Sequence, residues 1–432
     1  MADPSLDSVT PRRGLGLSAW CVVAAFGAYF CMYGFRKPFT AGLYDDYDVG
    51  GISWKTVLLA AQVLGYTLSK FIGIKVIAEM PPVRRVVWLF TLIGAAEAAL
   101  LMFAIVPRPW SCFFLFLNGL PLGMVFGLVL GFLEGRRHTE ALTAGLCVSF
   151  IVADGFSKTI GSQLLLSGVT ESWMPFVAGI FFAPPFLLSL WMLSRIPPPS
   201  RVDVAERCER LPMNRQERGK FFSRYAAGLV MLILLYLLLT ILRTVRADFA
   251  PEIWAGLGTT DEPAIFTISE IAVGVLVMLA SGLIVFVRAH RLAFFGALSL
   301  ALVGALLAGA ALGGLSAGIL SPLGFMILHG LGLYLPYVVF HTTVFERLIA
   351  LTRDRGNIGY LMYLADAFGY LGVVAVMVAK NLFGDRESFL DFFILLSWIV
   401  AGAGILLMIP CWWYFATHPA TAAVVELEPI QS

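Results

Sequence analysis

A chain of 432 residues that is 59% hydrophobic and only 13% charged carries about half the charge fraction of a soluble globular protein. That excludes an ordinary soluble enzyme and marks an integral membrane protein whose first partner is the lipid bilayer. The formal net charge of +2 is too small to imply nucleic-acid binding, and the one basic cluster lies between apolar segments, where membrane topology accounts for it.

Apolar stretches long enough to span a bilayer, at roughly 20 residues each, run at 15–35, 53–78, 86–106, 110–133, 141–167, 173–194, 223–247, 264–287, 292–314, 317–345, 357–380 and 389–415. This predicts an all-α membrane protein of twelve transmembrane helices. The first run is long and lacks a small-residue cleavage site, so it reads as a retained helix and not a signal peptide. Arg12, Arg13, Arg84, Arg85, Arg136, Arg137, the 195–224 segment, Arg288, Arg291, Arg353 and Arg355 all fall on one side, and Asp45, Asp46, Asp48, Glu171, Asp261 and Glu262 on the other. The positive-inside rule places both termini in the cytoplasm. The expected location is the inner (plasma) membrane.

Between the sixth and seventh runs, Pro197, Pro198 and Pro199 open the longest polar connection, with Arg201, Arg207, Arg210, Arg215, Arg218 and Lys220. It divides the chain into an N-terminal bundle at 1–196, a cytoplasmic linker at 197–222 and a C-terminal bundle at 223–432. The halves echo each other, with Arg36 and Asp154 in the first answered by Arg243 and Asp366 in the second. Two six-helix parallel repeats with a site between them are the organisation of a major-facilitator transporter. In the fourth run Gly119, Gly123, Gly127, Gly131 and Gly135 form an every-fourth-residue ladder, which reads either as a sliding surface or as static close packing.

Ionisable residues at helix centres cost about 2.5 to 3.5 kcal/mol each, so they face a bundle interior or a cavity. Arg36, Lys70, Glu97, Asp154, Lys158, Arg243, Arg246, Glu270, Glu346, Asp366 and Lys380 lie in or at the edge of apolar runs. Nothing ties Glu97, Glu346 or Lys380 to the others, and they read as structural. Arg36 and Arg243 occupy equivalent places in the two halves, and a guanidinium offers a planar fork to phosphate or carboxylate oxygens. Lys70 adds a third positive charge, and Asp154 and Lys158 are spaced i, i+4 for mutual neutralisation. Glu270 and Asp366 are read as acids that compete with an anion for Arg243 in an empty carrier.

Other signals carry no chemistry. The six cysteines show neither CxxC nor metal-ligand spacing and read as buried thiols. Gly314-Leu315-Ser316-Ala317-Gly318 matches GxSxG but falls between two membrane helices, where no nucleophile elbow forms. The five histidines lack paired ligand spacing, and His329 and His341 read as helix-packing residues, with a proton-linked role as the alternative. No Walker A motif is present, so the chain is expected to be a non-enzymatic carrier driven by gradients, without a cofactor or metal.

Tyr29, Tyr33, Arg36 and Lys37 in "YFCMYGFRK", with "GYTLSKF" at 65–71, resemble the first two helices of the organophosphate:phosphate antiporters, which include glycerol-3-phosphate and hexose-phosphate transporters. "LRTVRADFAP" at 242–251, "SEIAVG" at 269–274, "GLYLP" at 332–336 and "FGYLG" at 368–372 are similar to later segments of that family, in the same order. The resemblance implies a monomeric carrier in which Arg36 and Arg243 clamp a phosphate. It places Lys70, Lys158, Tyr29, Tyr33, Tyr66, Tyr334 and Tyr370 around the substrate, and Asp154, Glu270 and Asp366 in coupling or gating. The partner it implies is a small anionic solute, an organophosphate exchanged for phosphate. The chain departs from the family at Pro38, at Asp154 where a histidine is usual, and in "GIKVIAEMPPVRR" after the second helix. A proton-coupled carrier of organic anions or lipids and a sugar-phosphate sensor of the same fold are the alternatives.

Overall fold

A bilayer offers no partner to backbone N–H and C=O groups, so each apolar run satisfies them internally as a helix. The computed structural model describes residues 11–78, 80–133, 139–197, 215–259, 262–285, 287, 289–352, 358–383 and 388–422. Gly135, Cys208, Arg136, Arg137, Asp261, Arg288, Arg353, Arg355 and linker residues 198–214 lie outside the described residues. Twelve long helices follow in chain order: α1 Pro11–Gly34, α2 Trp54–Ala78, α3 Arg85–Ile105, α4 Ser111–Leu133, α5 Thr139–Leu166, α6 Met174–Ser194, α7 Ala226–Asp248, α8 Ala264–Val285, α9 His290–Ser316, α10 Pro322–Thr352, α11 Ile358–Phe383 and α12 Phe389–Thr417. Among the described residues, nine of these are long and apolar enough to cross a membrane on composition alone. Helix α1 adds a shorter apolar stretch, Ala19–Gly34, while α5 and α11 carry buried charge within their length.

The pairing of helices repeats six places along the chain. Contacts α1·α5, α1·α6, α2·α4, α3·α4 and α3·α6 recur as α7·α11, α7·α12, α8·α10, α9·α10 and α9·α12. The contacts that join the halves, α5·α8 and α2·α11, exchange under the same shift. Such regularity follows from two copies of one packing plan facing each other. Trp88, Phe90, Phe181, Leu188, Leu306 and Leu406 point outward, as side chains do when lipid covers them.

One helix differs from the sequence reading in an informative way. Helix α10 begins only at Pro322, where the Ser321 hydroxyl accepts from Gly324 N at 3.1 Å and caps the first turn. It then runs past 345 to Thr352 through a π turn at Phe340–Val344. The GxSxG match spans the end of α9 and the turn after it, in which Gly318 has φ 69°. Cys21, Cys31, Cys147 and Cys411 are buried free thiols and Cys112 is a half-buried one.

The glycine ladder of α4 faces two different neighbours. A Cβ at Gly119 would stand 2.2 Å from the Gln62 carbonyl oxygen, and one at Gly123 would stand 2.6 Å from the Ser69 Cβ, both on α2. From the other side, a Cβ at Gly65 would meet the Phe116 carbonyl at 2.1 Å. Gly131 instead lies against the Arg85 guanidinium of α3, at 2.8 Å from an added Cβ. The ladder is therefore not one track along one helix, and its upper part is a close backbone contact that locks α2 to α4. Gly119→Val should lower the melting temperature of the detergent-solubilised protein by the equivalent of about 1–3 kcal/mol. Gly94→Val, with nothing within 4 Å of its Cβ position, should leave it unchanged.

Candidate substrate site between the two halves

Pro38 cannot continue α1, and the chain leaves the helix in a tight turn, with Arg36 N and Lys37 N both bonded to the Tyr33 carbonyl at 3.0 and 2.8 Å. A buried 3-10 turn, Pro38–Ala41, follows. Two cations at a helix C-terminus face its negative dipole end. The depth of this turn is set by α2. Gln62 donates to the Arg36 carbonyl at 3.1 Å, and Gln62 lies eight residues into α2, so Arg36 sits about 12 Å below the outer end of that helix. Asn118 of α4 completes the node: it accepts from Gln62 at 2.8 Å and donates to the Phe35 and Ala96 carbonyls at 3.1 and 3.0 Å. One buried amide thus ties four helices at the base of Arg36.

Both arginines are buried and each lies on a tyrosine face. The Arg36 guanidinium stands 4.0 Å from the Tyr66 ring centroid and Arg243 stands 4.5 Å from that of Tyr337. The Nε of each has no hydrogen-bond partner, and neither forms an ion pair with a described carboxylate. Arg243 has one long contact, to the Tyr370 hydroxyl at 3.5 Å. Between the halves lies a small cavity whose wall includes Tyr29, Tyr33, Tyr66, Lys70, Arg243 and Tyr370. Arg36 is not on this wall and stands behind Tyr66.

The other buried charges between the halves are paired. Asp154 pairs with Lys158 one turn along α5, as the spacing predicts, and lies 3.8 Å from Lys37. Lys37 pairs with Asp248 of the other half. Arg246 binds Glu270 at 2.6 Å and donates to the Met326 carbonyl at 3.0 Å. Lys70 reaches across to Asp366 at 3.1 Å, and Asp366 also accepts from the Tyr236 hydroxyl. At the outer end of α2, Lys55 meets Glu252 at 2.6 Å.

The sequence-derived set therefore divides in two. Tyr29, Tyr33, Tyr66, Lys70, Arg243, Tyr370 and Asp366 share the cavity, whereas Asp154, Lys158 and Glu270 belong to the adjoining ion pairs and Tyr334 lies 5.5 Å from the Arg246 guanidinium. The expectation that Glu270 or Asp366 satisfies Arg243 in the empty protein is not met. Glu270 is taken by Arg246 and Asp366 by Lys70, because each lies nearer that cation. Sequence reasoning also passed over Tyr236, Tyr337, Gln62 and Asn118, single polar residues in apolar helices, and read His341 as a packing residue first and a proton-linked group second. Glu97 was read as structural, and both its carboxylate oxygens are buried without a hydrogen-bond partner.

This arrangement, two mirrored six-helix sets around a polar cavity, is the major facilitator fold. Among solved structures, the chain is similar to a D-xylose–proton symporter, with TM-score 0.60 and 16% identity over 93% of this chain and 98% of that one. It is likewise similar to the human organic anion transporter MFSD10 (TETRAN), with TM-score 0.56 and 15% identity over 90% and 99% of the two chains. The chain belongs to DUF5690, a family of unknown function, whose sequence pattern matches residues 38–418. A comparison with curated proteins finds no match.

The Arg246–Glu270 pair gives a direct check of the interior electrostatics. Arg246→Met alone leaves Glu270 uncompensated and should destabilise the protein by about 3–5 kcal/mol. The double variant Arg246→Met/Glu270→Met should recover much of that loss, as read by detergent melting in a double-mutant cycle.

Proposed function

We propose that this chain is a secondary transporter that carries a small oxyanion, foremost a phosphate ester, by alternating access and exchanges it for inorganic phosphate. The observation that carries the reading is a charge imbalance in the interface between the halves. Seven buried cations, Arg36, Lys37, Lys55, Lys70, Lys158, Arg243 and Arg246, face four buried carboxylates, Asp154, Asp248, Glu270 and Asp366, and the half-buried Glu252. The two positive charges in excess match the two arginines that lack a carboxylate. A dianion in the cavity would cancel that excess and supply acceptors to Arg243 directly, and to Arg36 once the Tyr66 ring that covers it turns aside.

The cavity wall supports an organic phosphate in particular. Tyr29, Tyr33, Tyr66, Tyr337 and Tyr370 offer hydroxyl groups and ring faces to the uncharged part of a solute. The two similar structures bear the names of transporters, one moving a sugar with a proton and the other organic anions. On this reading the protein is a non-enzymatic monomer in the inner (plasma) membrane with both termini cytoplasmic. Rocking of one six-helix set against the other exposes the cavity to each side in turn.

Proteoliposomes loaded with inorganic phosphate should take up radiolabelled phosphate and release it against phosphate esters. Arg36→Lys and Arg243→Lys should each lower this exchange roughly 10- to 100-fold although charge is kept, because an ammonium cannot form two parallel hydrogen bonds to one anion. Exchange near the wild-type rate in both variants would remove the arginines from the site.

A further inference from the structure

His341 lies on the cavity wall at the π turn of α10, a distortion that is frequent at functional positions. Both of its ring nitrogens face acceptors. Nδ1 stands 3.2 Å from the Tyr337 carbonyl oxygen, which can only accept. Nε2 stands 3.2 Å from the Tyr236 hydroxyl oxygen, whose single proton is directed to the Asp366 carboxylate. Asp366 is held as a carboxylate by Lys70 at 3.1 Å. The Tyr337 hydroxyl, 3.3 Å from that of Tyr236, is placed as a second acceptor for Tyr236, whose one proton goes to the nearer and charged Asp366.

Proton accounting then leaves two arrangements. With both nitrogens protonated, every contact is a donor meeting an acceptor, and Asp366 balances the imidazolium through Tyr236. In the neutral ring one contact must fail. Either Nδ1 turns a lone pair to the Tyr337 carbonyl, or Nε2 takes the Tyr236 proton and Asp366 loses its hydroxyl donor. The state of the ring is thereby linked to Asp366, and through Lys70 to the contact between the two halves.

Burial opposes a charged ring first of all, and the charges around it modulate that cost. Asp366 of α11 favours the imidazolium, whereas Lys70 of α2 and Arg243 of α7 oppose it, and α4 contributes only the Phe126 ring. Tyr236 of α7 and Tyr337 of α10 stay as neutral relays. An anion that neutralises Arg243 and Lys70 removes the electrostatic part of the opposition and leaves the attraction of Asp366 to offset burial. We propose that His341 is a proton-binding site that fills together with the anion, so that each substrate favours a proton and each proton favours the substrate. The reciprocity is required by linkage. This rests on the anion-site reading above and adds the proton as a second ligand. No bond other than the N–H bond changes, and the proton comes from the aqueous phase that admits the anion.

Calorimetry of inorganic phosphate binding to the full-length protein in detergent, near pH 6.5 in buffers of different ionisation enthalpy, counts protons taken up per phosphate. Phosphate contributes its own protons equally in wild type and variants, so the difference isolates the protein. His341→Gln should still bind but take up fewer protons, by roughly half a proton or more at a pH near the imidazole range. Tyr236→Phe, which keeps the imidazole and removes the relay to Asp366, should reduce the count as well. It also serves as the second reading if His341→Gln does not fold. An equal proton count in wild type and the folded variants would overturn the coupling while leaving the anion site intact. Failure of wild-type protein to bind phosphate would overturn the anion site and this inference with it.

Discussion

A charge buried away from water must find an opposite charge or a set of hydrogen-bond partners, and the interior of this protein is arranged around that requirement. Asp154, Asp248, Glu270 and Asp366 are each held by a cation. Arg36 and Arg243 stand apart, compensated only by tyrosine rings. A cation on an aromatic face gains about 0.5 to 2 kcal/mol, less than an ion pair returns in the same setting, so the two guanidiniums remain the least satisfied groups in the interface. A ligand that satisfies them gains what the protein itself leaves unmade.

That arrangement depends on neutral polar residues. Asn118 and Gln62 fix the carbonyls of Phe35 and Arg36 and so hold the turn at which α1 stops. Gly119 and Gly123 let α4 approach α2 closely enough for these amides to meet. Backbone proximity, amide node and arginine position form one chain of cause. The second half reaches its equivalent place differently, for Arg243 lies within α7 and is steadied by Tyr337 and Tyr370.

Much of this was legible in the sequence, for physical reasons. Twelve apolar runs, the charge alternation of their loops and the echo of Arg36 by Arg243 follow from the cost of polar groups in lipid, which acts on every residue alike. The Asp154–Lys158 pair was legible because one helical turn fixes its geometry. What spacing could not convey was partnership between helices far apart in the chain. Lys37 with Asp248, Lys70 with Asp366 and Arg246 with Glu270 are set by tertiary packing, so the expectation that Glu270 or Asp366 answers Arg243 failed. The role of Asn118 was equally hidden, since one amide in an apolar helix has no pattern. A signal did exist for His341, a lone histidine five residues beyond Pro336 in the same helix, but the π turn that presents it has no sequence signature of its own.

The ion pairs that join the halves differ in what their separation entails. Lys55 and Lys70 are both on α2, about 22 Å apart along its axis. Lys55–Glu252 is at the rim, where Glu252 is still 19% exposed, and water that enters as the halves part can solvate both ions at once. Lys70–Asp366 is deep, with 7% and 8% of the two side chains exposed, and breaking it before water arrives leaves two charges uncompensated, a loss of several kcal/mol. Only a group already in the cavity can soften that step. Asp366 keeps a hydrogen bond from Tyr236 when Lys70 departs, and an anion near Arg243 can accept the lysine. In the proposed transport cycle the rim pair responds to solvent and the deep pair to whatever occupies the site, and that reading places control of the transition at the cavity and not at its mouth.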